Sequence, residues 1–128
     1  MPVIPIGARN PGLPGDYSAA CAGPSEWLQC LQNASFICTN SFHGTVFAIQ
    51  FRKPFIVWST PSKGSFRGPA RIEDFLELCG LSNRLVCEPN AAVIAKLADT
   101  PIDYDAVSES LLPHINRSRM FLGHALTQ

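Results

Sequence analysis

The sequence predicts an α/β fold: a Rossmann-like, mainly parallel sheet with helices on both faces. Three observations point there. Short apolar runs such as "FICT" and "FIVW" do not alternate with polar residues, which suits strands buried on both faces of a parallel sheet. The stretches between them repeat apolar residues at helical spacing, so strand and helix alternate as βαβ units do. Finally, 46% hydrophobic and 16% charged residues in a chain of 128 leave material for one domain-sized core.

Taken in order, Val3 to Ile6 form a candidate first strand, which Pro2 and Pro5 restrict to an edge or a strand start. Residues 7–24 hold four glycines and three prolines and read as a loop or linker. The chain therefore divides into a loop-rich segment, 1–24, and a Rossmann-like domain, 25–128. From Ser25, "SEWLQCLQNA" spaces Trp27, Leu28 and Leu31 as a short amphipathic helix, with Glu26 complementing the dipole of its first turn. Phe36, Ile37 and Cys38 make a strand expected to be buried on both faces. Val46, Phe47, Ile49, Gln50 and Phe51 then fit a helix with one broad apolar face, ended by Arg52, Lys53 and Pro54.

"FIVW" is the next strand, and 59–70, with two prolines and two glycines, the next loop. "RIEDFLELCG" places Ile72, Phe75, Leu76 and Cys79 on one helical face, with Gly80 as the C-terminal cap. "RLVC" is a fourth strand. "NAAVIAKLAD" is a helix capped by Asn90, whose side chain can accept from the free N–H groups of the first turn. From Asp103 the apolar residues Val107, Leu111, Leu112, Ile115, Phe121, Leu122 and Leu126 describe a last helix, expected to bend or break at Pro113.

Ten basic residues balance ten acidic ones, so no net field favours nucleic acid or an anionic membrane. The five cysteines are odd in number and form no C-x-x-C pair, which argues for reduced thiols and a cytoplasmic setting rather than a metal or redox site. Cys38 and Cys79, inside apolar segments, read as small hydrophobes. No stretch approaches the roughly 18 apolar residues of a membrane span, and the N-terminal residues lack the pattern of an export signal.

Chemistry is best placed at "TNSFHGT", Thr39 to Thr45. In an open parallel sheet, ligands bind at the carboxyl ends of the strands, and anions sit on the N-termini of the helices that follow. Here a strand ends near Thr39 and a helix starts at Ser41 or Phe42, so unpaired backbone N–H groups converge. Gly44 has no side chain to block a ligand, Ser41 and Thr45 carry hydroxyls, and His43 carries an imidazole able to move a proton. Each residue also has a plainer explanation. Ser41 can be only an N-cap, Thr45 can bond back to its own helix, and His43 can be a satisfied polar residue.

Charge placement favours the functional reading. Arg52, Lys53, Lys63, Arg67 and Arg71 are five of the ten basic residues, and no acidic residue lies between the first and the last. Lys63, Arg67 and Arg71 belong to the loop after "FIVW" or flank it, at the edge of the sheet where His43 stands. Arginine there offers a bidentate fork to a phosphate or carboxylate. Only Phe55, Trp58 and Phe66 are aromatic in that interval, too few for a stacking surface that reads nucleic acid.

The words "TNSFHGTVFAIQFRKPF" and "RIEDFLELCGLSNRLV" resemble the C-terminal half of the polysaccharide pyruvyl transferase family. That family carries a Thr/Ser-Asn/Asp-Ser-Phe-His-Gly-Thr segment, a Lys-Pro-Phe strand entry, and an Arg-Ile helix ending in a Gly-Leu…Arg turn. The resemblance takes in "SEWLQCLQNA" and the closing "RSRMFLGHAL", roughly residues 24–126, and is loose before that. It implies half of a two-domain, glycosyltransferase-like fold whose other half lies N-terminal. It implies transfer of the enolpyruvyl group of phosphoenolpyruvate to a sugar of a cell-surface polysaccharide or its precursor, leaving a pyruvate ketal and phosphate, with no resident cofactor or metal. The implied partners are phosphoenolpyruvate, a sugar or lipid-linked sugar acceptor, and either the N-terminal half or a second copy; the implied setting is the cytoplasm, at the inner face of the membrane. On this chain His43 takes the catalytic place, as general acid or as phosphate ligand. Asn40, Ser41, Gly44, Thr45 and Arg71 surround the substrate, with Arg67 an alternative to Arg71. A non-catalytic nucleotide- or anion-binding module of glycosyltransferase type is the competing reading.

Overall fold

The computed structural model describes residues 23–58 and 69–127, in which helix and strand alternate until two successive helices close the order. The elements are α1 (Pro24–Asn33), β1 (Ile37–Thr39), α2 (Phe42–Gln50), β2 (Phe55–Trp58), α3 (Pro69–Leu78), a 3-10 turn (Ser82–Arg84), β3 (Leu85–Val86), α4 (Ala91–Asp99) and α5 (Tyr104–Leu126). The three strands lie side by side in the order β1-β2-β3. Both pairings are parallel, with Ile37 beside Phe55, Thr39 beside Val57, and Val57 beside Leu85. This is the α/β class the sequence predicts. The candidate strand at Val3–Ile6 and the loop 7–22 lie outside the described residues.

Each parallel crossover needs a helix to return the chain, and α2 and α3 serve in turn and pack on each other. Their apolar residues Ala48, Ile49, Ile72 and Leu76, with Cys79 just beyond α3, join Ile37, Phe55 and Val57 in one buried cluster with Leu31 of α1 and Val107 of α5. Ile56 is fully buried yet stands outside that cluster, as alternation across a strand covered on both faces requires. Burial pushes the Cys79 thiol up to about 11, so it stays an inert packing group.

One expectation changes and another narrows. Cys38 is exposed and Phe36 half-buried, so β1 is not buried on both faces. β1 ends the strand order, and its Cys38 face is not covered by a packed layer as Phe55 to Val57 of β2 are. Of the bend or break expected at Pro113, the break does not occur: α5 runs through it from Tyr104 to Leu126. Proline removes one N–H and so one intrahelical bond. The segment is exposed there, and water can satisfy the freed carbonyl. Only Val107 of α5 is buried, while Ile115, Met120, Phe121, Leu122 and Leu126 stand exposed beyond it.

Local stop and start signals act as the sequence indicates. Asn90 Oδ1 accepts from Val93 N at 3.0 Å and starts α4. Gly80, at φ +68°, lets Leu81 N reach Leu76 O at 2.7 Å and closes α3. At the end of α2 that left-handed role falls to Arg52, at φ 52°, a conformation unfavourable for a residue with a Cβ. Its 3.0 Å ion pair with Asp105 is well exposed and contributes little.

Arg84 holds the second half of the fold together. It is 1% exposed, and its guanidinium donates to Leu97 O at 2.7 Å and Thr100 O at 2.6 Å, capping the carbonyl end of α4. Burial lowers its pKa, while the nearby Tyr104 acts in the opposite sense. Burial also pushes the Tyr104 phenol up to about 12, so it remains a neutral donor to Lys53 O and ties α5 to the start of β2. Arg84→Met is expected to strand these carbonyls and destabilise the protein by about 2–4 kcal/mol in denaturant unfolding. A loss below about 0.5 kcal/mol would show that the cap is dispensable.

Candidate functional site

Two residues, Asn40 and Ser41, carry the chain from β1 into α2. So short a junction needs the strand end and the first helical turn to touch. Thr39 Oγ1 accepts from Ser41 N at 3.1 Å, fixing the turn from within. A Cβ built on Gly44 would lie 2.3 Å from that same Thr39 oxygen, so a side chain at position 44 would collide with the strand. Glycine is required here by space rather than by backbone angle.

Ser41 is the N-cap, its Oγ accepting from Gly44 N at 3.4 Å. Thr45 is fully buried, and its hydroxyl donates to Ser41 O at 2.9 Å. It thus bonds back to its own helix, and its part is in starting the helix rather than in the open face. The N–H groups of Phe42 and His43, the first two of α2, have no acceptor within the helix and lie at its positive end. Asn40, Ser41 and His43 are exposed around them.

Arg71 arrives from the first turns of α3, the helix that follows the neighbouring strand β2. Its guanidinium carbon lies 4.3 Å from the centre of the Phe42 ring. The same ring stands edge-on to His43 at 6.1 Å and tilted against Phe75 at 5.6 Å. Arg71 is exposed, and among the described residues it makes no ion pair. The structure therefore gathers Asn40, Ser41, His43 and Arg71 on one edge, with Gly44 and Thr45 behind them. Arg67 and Lys63 lie outside the described residues, and Arg52 stands at the far end of α2.

The arrangement offers donors and positive charge to an anion: two helix N–H groups, the Ser41 hydroxyl, the His43 ring and the Arg71 fork. Among the described residues no group of His, Cys, Asp and Glu gathers as a metal site would need. A cavity of about 290 Å³ opens elsewhere, between the end of α3 and the start of α5, and its lining of Cys79, Leu81, Arg84, Ile102 and Val107 includes no residue of this edge. Two residues with roles here were not singled out from the sequence. Thr39 could have been found, because a threonine two residues before an N-cap serine is a local turn signal. Phe42 could not, because its contact with Arg71 spans two helices.

Residues 8–61 match the family model described as polysaccharide pyruvyl transferase. The match covers fewer than half of the 128 residues. It begins earlier than the resemblance read from the motifs, includes Asn40 to Thr45, and ends before Arg67 and Arg71. No curated protein and no solved structure matches the chain.

Gly44→Ala is expected to destabilise the protein by about 1–3 kcal/mol through the clash with Thr39. Adding Thr39→Ala removes the nearest atom and should return about 1 kcal/mol, so the two changes are non-additive in denaturant unfolding. Strict additivity would mean that the two residues do not meet.

Proposed function

We propose that this chain is the phosphoenolpyruvate-binding, Rossmann-like half of a polysaccharide pyruvyl transferase of two-domain, glycosyltransferase-like form. The observation that carries the proposal is the match of residues 8–61 to that transferase family, together with the donor-rich edge formed within it by Ser41, Phe42 and His43. The first supports the family's chemistry. The second is suited to the phosphate and carboxylate of phosphoenolpyruvate.

Ketal formation adds a proton to the methylene carbon of phosphoenolpyruvate and two sugar hydroxyls to the adjacent carbon, while phosphate leaves. Charge shifts onto the departing phosphate, so fixed donors aimed at it stabilise the transition state more than the ground state. In this reading the N–H groups of Phe42 and His43 and the guanidinium of Arg71 hold the anion, and Ser41 and Asn40 border it. His43 either protonates the methylene carbon or hydrogen-bonds the leaving phosphate. Arg67 is a second candidate for the clamp.

The acceptor in this proposal is a sugar of a cell-surface polysaccharide or its lipid-linked precursor, met at the cytoplasmic face of the membrane. No helix of the described residues is long and apolar enough to cross a membrane. The sugar site would be completed by an N-terminal half or a second copy, and the apolar residues exposed along α5 offer surface for such pairing.

Phosphate release from phosphoenolpyruvate is expected only when a sugar acceptor and the complementary half are present. His43→Ala should reduce it by about 10²-fold or more, the usual contribution of a proton-transferring or leaving-group residue. Full activity in that variant would remove His43 from the mechanism. Tighter binding of a sugar nucleotide than of phosphoenolpyruvate, unaltered by Arg71→Ala, would favour the non-catalytic binding module instead.

A further inference from the structure

We infer that Phe42 is a positioning residue: its ring holds the Arg71 guanidinium at the N-terminus of α2, beside His43, with the arginine's N–H groups unpaired among the described residues and able to meet an anion. This rests on the proposed phosphoenolpyruvate site and extends it to a residue that carries no chemistry of its own.

A surface arginine ordinarily has several rotamers and needs an anchor to hold one position. An acidic partner would fix Arg71 but would occupy its donors and offset its charge. Among the described residues it has no such partner. The anchor is instead the face of Phe42, 4.3 Å from the guanidinium carbon. Stacking uses the flat side of the guanidinium, whereas its hydrogen-bond donors point outward in the plane. The charge is thereby located without being consumed.

Phe42 is itself held. It is half-buried, and its ring packs at 5.6 Å on Phe75, which lies one turn beyond Arg71 on the same face of α3. Arg71 and Phe75 thus grip one ring from successive turns of α3. The ring also stands edge-on to His43 at 81° and 6.1 Å. One side chain therefore relates the α3 cation to the α2 imidazole, although the two helices follow different strands.

The test is phosphoenolpyruvate affinity in Phe42→Leu and Phe42→Tyr, each alone and combined with Arg71→Ala. Leucine keeps apolar bulk and removes the aromatic face, and it should weaken binding about three- to tenfold. Tyrosine should keep near-normal affinity. In the Arg71→Ala background, Phe42→Leu should have little further effect, a coupling that a merely structural role would not produce. An independent reading is the resonance of the Arg71 side-chain protons, shifted upfield by the ring in the unaltered protein and in Phe42→Tyr but not in Phe42→Leu. Unchanged affinity in Phe42→Leu, a full additional loss in the Arg71→Ala background, or absence of the upfield shift in the unaltered protein would each overturn the inference. If the unaltered protein shows the shift yet binds no phosphoenolpyruvate, the donor assignment falls, and the positioning role falls with it.

Discussion

The contact between Thr39 and Gly44 is the constraint on which the site depends. β1 can pass into α2 through only two residues because the helix carries no side chain where the strand end presses against it. Thr39 Oγ1 then takes Ser41 N, and Ser41 Oγ takes Gly44 N. These bonds satisfy the donors nearest the strand. The next ones, on Phe42 and His43, are left at the open edge. Geometry and the partial charge of the helix end together supply what the proposed anion site requires.

A second layer of organisation comes from the parallel sheet. Because β1 and β2 run the same way, the helices that follow them both begin at the same edge, and α3 brings Arg71 to the start of α2. The other arginines described near the core have different work. Arg84 is buried and caps the carbonyl end of α4, and Arg52 closes α2 at the opposite edge. Position in the fold, rather than net charge, decides which cation can meet a ligand. A neutral chain thereby keeps a locally positive edge.

Much of this was legible in the sequence because it depends on neighbours in the chain. The caps at Ser41, Asn90 and Gly80 and the apolar faces of α2 and α3 are local signals, and each acts as its residue type suggests. The exposure of Cys38 was not legible, since an edge strand and a central strand can share one apolar pattern. That Pro113 would not break α5 was not legible for a related reason: an exposed helix can lose one bond to water and continue. The buried state of Arg84 and the stacking of Arg71 on Phe42 join residues 13 or more positions apart, and no local pattern encodes them.

The central claim is that the start of α2 receives the anionic donor. Its most direct test is to titrate the protein with phosphoenolpyruvate while following backbone amide and arginine side-chain resonances. The account predicts that the largest changes fall on the amides of Ser41 to Gly44 and on the Arg71 guanidinium. Changes centred instead on the cavity beside Arg84, or along α5, with the start of α2 unaffected, would contradict it.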